Sequence, residues 1–421
     1  MLNDNIKKFQ IDSFFKYSAI PSQSNAGVKI IPSSEGQMRL ARVLADDLKS
    51  LGLKDIIVND NAVVTALLPK NKDNVHSIGF VAHLDTVDVG LTGDVHPQIL
   101  KFEGEDLCLN KEKNIMFRVS EHPEIKKYIN DKIIFSDGTS VLGADNKAAI
   151  ATVISALKYI ADNNIEHGDI YIAFVPDEEI GLLGSKALDL NVFKPDFAYT
   201  IDSCEIGEVV YETFNAGSAS IDIEGVTAHP MSAKGVLVNP ILIAIDIANE
   251  FDRTSTPECT EKKEGYIWVQ GISGNQRNAS LKLNIRDHNK KLYEEKKSKI
   301  IEAVEKYQKL EPRAKISLTI DDVYANIADS IKDDRFAIDV IYEAMKNLNI
   351  EPKTISMRGG TDGSALSVKG LLTPNYFTGA HNFHSIYEFL PIESFHKSLE
   401  TTLEIIKIVS ENNIHDAKLN K

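Results

Sequence analysis

The chain has 421 residues, 43% of them hydrophobic and 26% charged, and this length exceeds one ordinary core, so a globular protein of two domains is expected. Its net charge of −14 argues against a nucleic-acid partner, because phosphate binding requires a basic surface. Cys108, Cys204 and Cys259 are widely spaced, and neither a secretory leader nor a long apolar run is present, so we expect a cytoplasmic enzyme with no membrane partner.

Strand-like and helix-like segments alternate over roughly the first 200 residues. Apolar residues at helical spacing predict helices over 36–51 and 146–160. Continuous apolar runs at 170–175 and 197–201 are typical of strands that are buried on both faces. Further strands are predicted at 56–58, 62–68 and 78–82. This alternation indicates an α/β fold, with a mostly parallel sheet covered by helices on both sides.

The pattern changes from about residue 211. In chain order, it predicts a strand at 218–223, a helix at 238–251, strands at 266–270 and 280–286, a helix at 292–310 and a strand at 315–320. This β-α-β-β-α-β order is that of an α+β ferredoxin-like unit. Helices are predicted again at 336–348 and 392–409, with a strand at 371–377 between them. We therefore expect a catalytic domain formed by 1–210 and 325–421, interrupted by an inserted lid domain at 211–324.

Residues that can bind metal follow the predicted strands of the first domain. His83 and Asp85 come directly after the strand at 78–82, and residues two apart on an extended chain share a face. Asp145 opens the helix at 146–160. Each has a simpler interpretation: a histidine at a strand end usually packs or faces solvent, and an aspartate at a helix start usually caps it.

Two further acidic segments lie at strand ends. Glu178 and Glu179 follow the strand at 170–175, and Asp202 follows the strand at 197–201. Adjacent side chains on an extended backbone point in different directions, so one glutamate can bind a metal while the other faces substrate or water. Spacing does not say which glutamate has which role, and a solvated acidic turn is the alternative. Because ligands bind at the carboxyl ends of parallel strands, we expect these groups to converge.

One histidine, two aspartates and a glutamate, joined by a later histidine, form a nitrogen and oxygen ligand set suited to zinc. A carboxylate that bridges two metal ions is a recurring arrangement for peptide hydrolysis. His381 and His384 are both candidates for the last ligand, and spacing cannot separate them. Cys204 is close to Asp202, but a small buried thiol is the better interpretation.

Several stretches carry a resemblance to a known family. They are Pro-Ser-Ser-Glu-Gly-Gln at 32–37, His-Leu-Asp-Thr at 83–86, Leu-Gly-Ala-Asp at 142–145, Pro-Asp-Glu-Glu at 176–179, Tyr-Thr-Ile-Asp at 199–202, Ala-His-Pro at 228–230, Ile-Arg-Asp at 285–287, Arg-Gly-Gly-Thr-Asp-Gly at 358–363 and Asn-Phe-His at 382–384. Through them the chain resembles the peptidase T group of a dinuclear zinc metallopeptidase family, which also holds carboxypeptidases, dipeptidases and amino-acid deacylases. The likeness covers nearly the whole chain.

The resemblance implies a set of metal ligands. His83 and Asp202 would hold one zinc ion, Glu179 and His384 the other, and Asp145 would bridge the two. The chain departs from the family pattern at Asn146, where aspartate is common, and at Ser203 and Cys204, where glycines are common. No expected ligand is removed by these departures. The same ligands also accept cobalt or manganese.

The resemblance also implies roles in catalysis and substrate binding. Glu178 would be the general base, and Asp85 would fix the catalytic site from behind the ligands. His229 would stabilise the tetrahedral oxyanion. Arg286 and Arg358 would clamp the carboxylate of the substrate, a task that suits a guanidinium group. For either arginine, a surface ion pair is the alternative.

The implied activity is that of a zinc-dependent aminopeptidase that releases the N-terminal residue of tripeptides. A dipeptidase, a carboxypeptidase or an N-acyl amino-acid deacylase of the same family is the alternative. A catalytically inactive peptide-binding protein would have lost a ligand or the base, and none is lost. A nucleotide-binding α/β protein is disfavoured, because no Gly-x-Gly-x-x-Gly follows an early strand. The edge strands of the inserted domain would allow a homodimer.

Overall fold

A computed structural model of the protein describes residues 2–331 and 334–412. The chain divides into two compact units. The first comprises Met1–Tyr211, Ile331–Ile355 and Thr361–Lys421, and the second comprises Glu212–Ser330 and Ser356–Gly360. Compared with the expected catalytic segments, 325–330 and 356–360 belong to the second unit instead. The end of the expected catalytic range, 413–421, lies outside the described residues.

The N-terminal part of the first unit contains most of its strands. In chain order its elements are helices α1 (Asp4–Ser18) and α2 (Glu35–Ser50), strands β1 (Lys54–Val58), β2 (Val64–Leu68), β3 (Ile78–His83), β4 (Gln98–Lys101), β5 (Leu107–Asn110) and β6 (Ile115–Phe117), a 3-10 helix at Pro123–Tyr128, strand β7 (Lys132–Phe135), helix α3 (Ala144–Asn163), strand β8 (Ile170–Val175), helix α4 (Leu183–Ala187) and strands β9 (Phe197–Ser203) and β10 (Glu208–Glu212). The sequence patterns predicted neither α1 nor the short strands β4 to β7.

The second unit is a single antiparallel sheet with two helices. Its elements are β11 (Asn215–Glu224), α5 (Pro240–Ala248), β12 (Tyr266–Gly274), β13 (Asn278–Asp287), α6 (Lys290–Leu310) and β14 (Lys315–Tyr324). The sheet has the order β12-β13-β11-β14, which is the ferredoxin-like arrangement expected from the sequence. Ile221, Leu281 and Leu283 of the sheet form a buried core with residues of both helices, such as Ile243 and Ile300.

The C-terminal part returns to the first unit. Its elements are α7 (Phe336–Asn347), β15 (Lys353–Ser356), α8 (Asp362–Val368), β16 (Asn375–Phe377), β17 (Phe389–Pro391) and α9 (Ile392–Glu411). The strand predicted at 371–377 is therefore shorter than expected. Ala198 and Thr200 donate to the carbonyls of Leu372 and Pro374, but Pro374 has no N–H with which to donate back to β9, so the ladder begins only at Asn375. None of the described helices combines the length and the apolar character needed to cross a bilayer.

The main sheet of the first unit is mixed. Its order is β1-β2-β8-β3-β9-β16-β10-β15. The central strands β8, β3, β9 and β16 pair in parallel, whereas β2 and β10 are antiparallel to their neighbours β8 and β16. The predicted α/β fold is confirmed, but the expected parallel pairing holds only at the centre. The link between β1 and β2 is too short for a crossover, so these two strands pair antiparallel.

The central strands are buried on both faces, as their continuous apolar runs predicted. Phe80 and Ala82 face a core that includes residues of α1, α3 and α9. Val81, between them in sequence, faces the opposite core together with Val175 of β8 and Leu366 of α8. Because the four central strands run in the same direction, their carboxyl ends meet at one edge of the sheet.

One buried glutamine links the three helices on the first of these faces. Gln10 of α1 has no exposed surface, and its amide donates to Thr152 Oγ1 of α3 at 3.1 Å and to the Phe395 carbonyl of α9 at 2.9 Å. Its carbonyl oxygen lies 2.9 Å from His396 Nδ1. All three partners are buried, so water cannot replace the hydrogen bonds that Gln10 makes with them.

We predict that Gln10→Leu lowers the free energy of unfolding by about 2–4 kcal/mol, because it leaves buried polar groups without partners. Urea unfolding followed by circular dichroism measures the change. Lys8→Ala on the same helix is the control, since the Lys8–Asp12 pair is solvent-exposed and contributes at most about 0.5 kcal/mol. Equal effects of the two substitutions would contradict the role given to Gln10.

Candidate metal centre

The carboxyl edge of the central strands gathers the side chains that the sequence placed at strand ends. His83 is the last residue of β3 and pairs with Val175, the last residue of β8. Glu178 and Glu179 follow β8 within a few residues, and Asp202 lies near the end of β9. The parallel register of β8, β3 and β9 thus places these groups together.

Asp145 lies between two histidines. Its Oδ1 is 2.9 Å from His83 Nε2, and its Oδ2 is 3.1 Å from His384 Nε2. His83 Nε2 is also 3.8 Å from Asp202 Oδ1, and His384 Nε2 is 2.9 Å from Glu179 Oε1. The ligand atoms of His83, Asp145 and Asp202 lie within 4.8 Å of one another, and so do those of Asp145, Glu179 and His384. The structure therefore forms two groups of candidate ligands that share Asp145.

The chemistry of these groups fits metal ions. Glu179 Oε1 is buried and has no hydrogen-bond partner among the described residues, although His384 Nε2 is only 2.9 Å away. A buried carboxylate oxygen without a donor is costly unless a cation neutralises it. Imidazole and carboxylate ligands suit zinc and other divalent transition metals. These residues could hold two metal ions; their individual assignments stay predictions.

Asp85 supports the candidate ligands from behind. Its fully buried carboxylate accepts the backbone N–H of Glu178 at 3.0 Å and that of Glu179 at 3.2 Å. His83 Nδ1 lies 3.0 Å from the Asp85 carbonyl and 3.4 Å from its carboxylate. One side chain thus orients the acidic pair and the ring of His83 together.

Asp177 anchors the acidic pair from the other side. Its buried carboxylate accepts from the N–H of Ser33 at 2.8 Å and from Gln37 Nε2 at 2.6 Å, and its own N–H donates to Gln37 Oε1 at 2.9 Å. The sequence analysis gave these three residues no role. A signal was nevertheless present, because the two stretches that meet here, 32–37 and 176–179, are among those that carry the family resemblance.

Asn146, one of the departures from the family pattern, contacts the first ligand group. Its Nδ2 donates to Asp202 Oδ1 at 3.0 Å and to the Ile201 carbonyl at 2.8 Å, while its Oδ1 accepts from the backbone of His83 at 3.3 Å. An aspartate at this position has no N–H with which to make the bond to Asp202. The asparagine therefore orients a candidate ligand through a donor that a carboxylate lacks.

Glu388 holds the backbone that carries Asp145. It is 1% exposed, and its carboxylate accepts from Gly143 N at 2.9 Å and from Asp145 N at 3.2 Å. Burial, reinforced by the nearby charge of Asp145, raises the pKa of Glu388 to about 8. Gly143 has a φ of +71°, and a side chain there would meet Thr86. The sequence gave no functional signal for Glu388 beyond its proximity to His384.

The carboxyl groups of this edge have strongly perturbed acidities. Removal from water raises the pKa of Glu178 well above its usual range, and the charges of Asp202, Glu179 and Asp362 add to this, against the effect of His83. Burial would also raise the pKa of Asp145, but hydrogen bonds with the two histidines hold it below its usual value. Asp362 is buried, its Oδ1 has no hydrogen-bond partner within the described part of the chain, and burial raises its pKa to about 6. Such shifts are typical of catalytic sites.

The structure distinguishes the two C-terminal histidines. His384 faces Asp145 and Glu179, whereas His381 does not contribute to either candidate group. His381 is buried, with Nε2 2.7 Å from the Tyr128 hydroxyl and its ring stacked on Phe389 at 4.7 Å and 11°. Burial lowers the pKa of His381 to about 4. It is a structural residue of the loop that carries His384.

The three remaining predicted site residues belong to the second unit. His229 is exposed and accepts the N–H of Met231 at 3.2 Å. Arg286 donates from Nη1 to the carbonyls of Gly217 and Ile285, and its guanidinium lies 5.6 Å from the centre of the Tyr324 ring.

Arg358 is held more tightly within the same unit. It donates to the carbonyls of Lys262 and Glu264 and to Thr260 Oγ1. Its guanidinium also lies over the rings of Phe214 and Tyr266, at 5.2 and 5.5 Å. Tyr266 pairs with Arg286 across β12 and β13, so the second unit brings the two arginines to the same tyrosine.

The fold and the ligand groups define a class of protein. Residues 143–408 match the model of peptidase family M20/M25/M40, and the chain belongs to that family. It is therefore an enzyme, a peptidase, with His, Asp and Glu groups at the sheet edge that could hold metal ions.

Full-length relatives refine this class. A peptidase T-like protein of Yersinia pestis is 58% identical, with 93% of this chain and 95% of the relative aligned. Peptidase T of Caldanaerobacter subterraneus subsp. tengcongensis is 43% identical, over 94% of this chain and 98% of the relative. Among solved structures, aminopeptidase PepT from Bacillus cereus has a TM-score of 0.76 at 23% identity, covering 96% of this chain and 99% of that one. A tripeptidase from Staphylococcus aureus has a TM-score of 0.75 at 23% identity, with the same coverage.

The buried His381 predicts a pH dependence of stability. The unfolded chain binds a proton at this residue near pH 6.5, whereas the folded protein binds it only near pH 4. Above pH 6.5, His381 is neutral in both states and does not oppose folding. As the pH falls from 6.5 to about 4, only the unfolded chain takes up the proton, so the free energy of unfolding falls by at most about 1.4 kcal/mol per pH unit.

We expect His381→Gln to make the unfolding free energy less steep in pH between about 6.5 and 4 than in wild type. Urea unfolding at several pH values, with a chelator present, measures this. His96→Gln, which replaces a 66% exposed side chain, is the control and should leave the slope unchanged. A slope unaffected by His381→Gln would exclude this residue as a source of acid sensitivity.

Proposed function

We propose that the protein is a zinc-dependent aminopeptidase that removes the N-terminal residue from tripeptides. The observation that carries the proposal is the position of Asp145, whose two carboxylate oxygens each face a different histidine. That arrangement suits a carboxylate bridging two metal ions in a hydrolase. The full-length relatives named peptidase T and peptidase T-like protein support the choice of substrate class.

Under this proposal, His83 and Asp202 would hold one ion, Glu179 and His384 would hold the other, and Asp145 would serve both. When bound, the ions supply Lewis acidity toward the scissile carbonyl and lower the pKa of water. The donor set also accepts cobalt or manganese. Asp85 and Asn146 keep the ligand atoms oriented through their bonds to the backbone of the acidic pair and to Asp202.

Glu178 is the proposed general base. Its side chain belongs to a third candidate group with His83 and Glu179, so it lies beside the ligands. Removal from water raises its pKa well above that of a solvated glutamate, which makes it a stronger base. A carboxylate of this kind can take a proton from the attacking water and return it to the leaving amine.

The second unit is proposed to recognise the peptide. Arg286 is the better-suited carboxylate ligand, because its hydrogen bonds within the described residues use only Nη1 and leave Nη2 and Nε. Arg358, which already donates to three oxygens, would support it. His229 is proposed to stabilise the oxyanion. Three further statements stay predictions: that the second unit acts as a lid, that the protein forms a homodimer, and that it is cytoplasmic.

A peptide panel tests the function. We expect tripeptides to be cleaved after the first residue faster than dipeptides, tetrapeptides or N-acetyl amino acids, and a chelator to abolish the activity until zinc is restored. Amidation of the tripeptide C terminus should raise KM, because it removes the carboxylate that Arg286 would bind. Mass spectrometry of the products gives the cleavage site. Preferred hydrolysis of N-acetyl amino acids or release of the C-terminal residue would refute the proposal.

We predict that Glu178→Gln lowers kcat by about 10²- to 10⁴-fold, because the amide cannot accept the proton from water. The metal content, measured by mass spectrometry of the dialysed protein, should stay near that of wild type. Glu179→Gln is the matched control at the adjacent position and should lose one ion. Near-normal turnover of Glu178→Gln would exclude it as the base.

A further inference from the structure

The loop that carries His384 has an unusual backbone. Asn382 and His384 have φ values of +58° and +63°, the left-handed region that most residues with a side chain avoid. Two such residues within three positions persist only if surrounding contacts hold them. His384 itself is 44% exposed, so packing around its ring does not supply that restraint.

Contacts at both ends hold this loop in place. At its base, His381 and Phe389 exchange backbone hydrogen bonds of 2.9 and 3.1 Å. At its C-terminal end, Glu388 is bound to the N–H groups of Gly143 and Asp145. On the side of His384, the amide of Asn382 donates to Glu124 Oε1 at 2.7 Å.

The Asn382–Glu124 bond is the shortest one that this amide makes. Asn382 Nδ2 is also 3.4 Å from His122 Nδ1 and from the Tyr387 carbonyl. Glu124 is 258 residues away in sequence and lies in the 3-10 helix Pro123–Tyr128. The loop therefore depends on a segment that contains none of the candidate metal ligands.

This 3-10 helix is a firm support. Ile125 and Tyr128 are buried in a cluster with Phe117, Phe135 and other apolar residues. The hydroxyl of Tyr128 lies 2.7 Å from His381 Nε2, next to the base of the loop. The helix thus contacts the loop at two points, and the bond from Asn382 to Glu124 is the one nearer to His384 in sequence.

We propose that Glu124 is a positioning residue for His384. By accepting the amide of Asn382, it holds the left-handed loop that directs His384 Nε2 toward Asp145 and Glu179, and so it sets the affinity for the ion bound by His384. This inference rests on the proposed dinuclear function. Its physical basis is that a hydrogen bond to the support of a metal ligand reduces the freedom of the ligand before metal binds.

Zinc titration of the metal-free protein tests the proposal without using activity. Competition with a chromophoric chelator gives an affinity for each ion, and His384→Ala identifies the ion that His384 binds. We expect Glu124→Ala to weaken that ion by about 10- to 100-fold and to leave the other within about threefold. Glu124→Gln keeps an acceptor oxygen for Asn382 and should bind both ions as wild type does.

Lys127→Ala is the matched control, since Lys127 lies in the same 3-10 helix, is 54% exposed and pairs with Glu205. It should leave both affinities unchanged. Unchanged binding by Glu124→Ala would overturn the proposal, and so would equal weakening of both ions. Equal losses in Glu124→Ala and Glu124→Gln would also overturn it, because the charge rather than the hydrogen bond would then matter. Wild-type protein that binds two zinc ions without cleaving peptides would refute the proposed function alone.

Discussion

The main physical constraint on the first unit is the negative charge that several acidic side chains bring together at one edge of its sheet. Asp145, Glu178, Glu179 and Asp202 converge there with two histidines, and Asp85 is buried directly behind them. Burial and mutual repulsion raise the pKa of Glu178 and bring that of Asp202 to about 8. Such a cluster is stable only when donors and cations compensate it. The proposed metal ions would be the principal compensation, and backbone N–H groups bound to Asp85 provide another part.

Around this cluster, each group is held by a partner from a distant part of the chain. Asp177 binds Ser33 and Gln37, which keeps the acidic pair at the end of β8. Glu388 binds the backbone of Asp145 across 243 residues of sequence. These supporting side chains are themselves buried and hydrogen-bonded. They therefore hold the candidate ligands close together despite the repulsion between their charges. Rigidity of this kind is what a preorganised hydrolytic site requires.

Much of the fold was predictable from local patterns. The continuous apolar run at 170–175 became β8 with the same bounds, and the helix predicted over 36–51 became Glu35–Ser50. Other elements were not predictable. The strands β4 to β7 have three to four residues each, which is too short for a periodic signal. The antiparallel pairing of β10 with β16 brings together strands that are more than 160 residues apart, and no local pattern encodes that choice.

By itself, the sequence determined which residue types stand at the strand ends, and with the resemblance to a known family it named the candidate ligands and the base. Hydrophobic periodicity and backbone chirality act over a few residues, so strands, helices and their exits follow from local sequence. Spacing left His381 and His384 open and the resemblance favoured His384, but only the tertiary structure gave a physical reason, because His381 is bound to Tyr128, 253 residues earlier. It also showed that Glu388 binds the backbone of Asp145, that Asn146 binds Asp202, and that Glu124 accepts the amide of Asn382. Hydrogen bonds between distant side chains depend on how the whole chain packs, and spacing along the sequence carries no information about them.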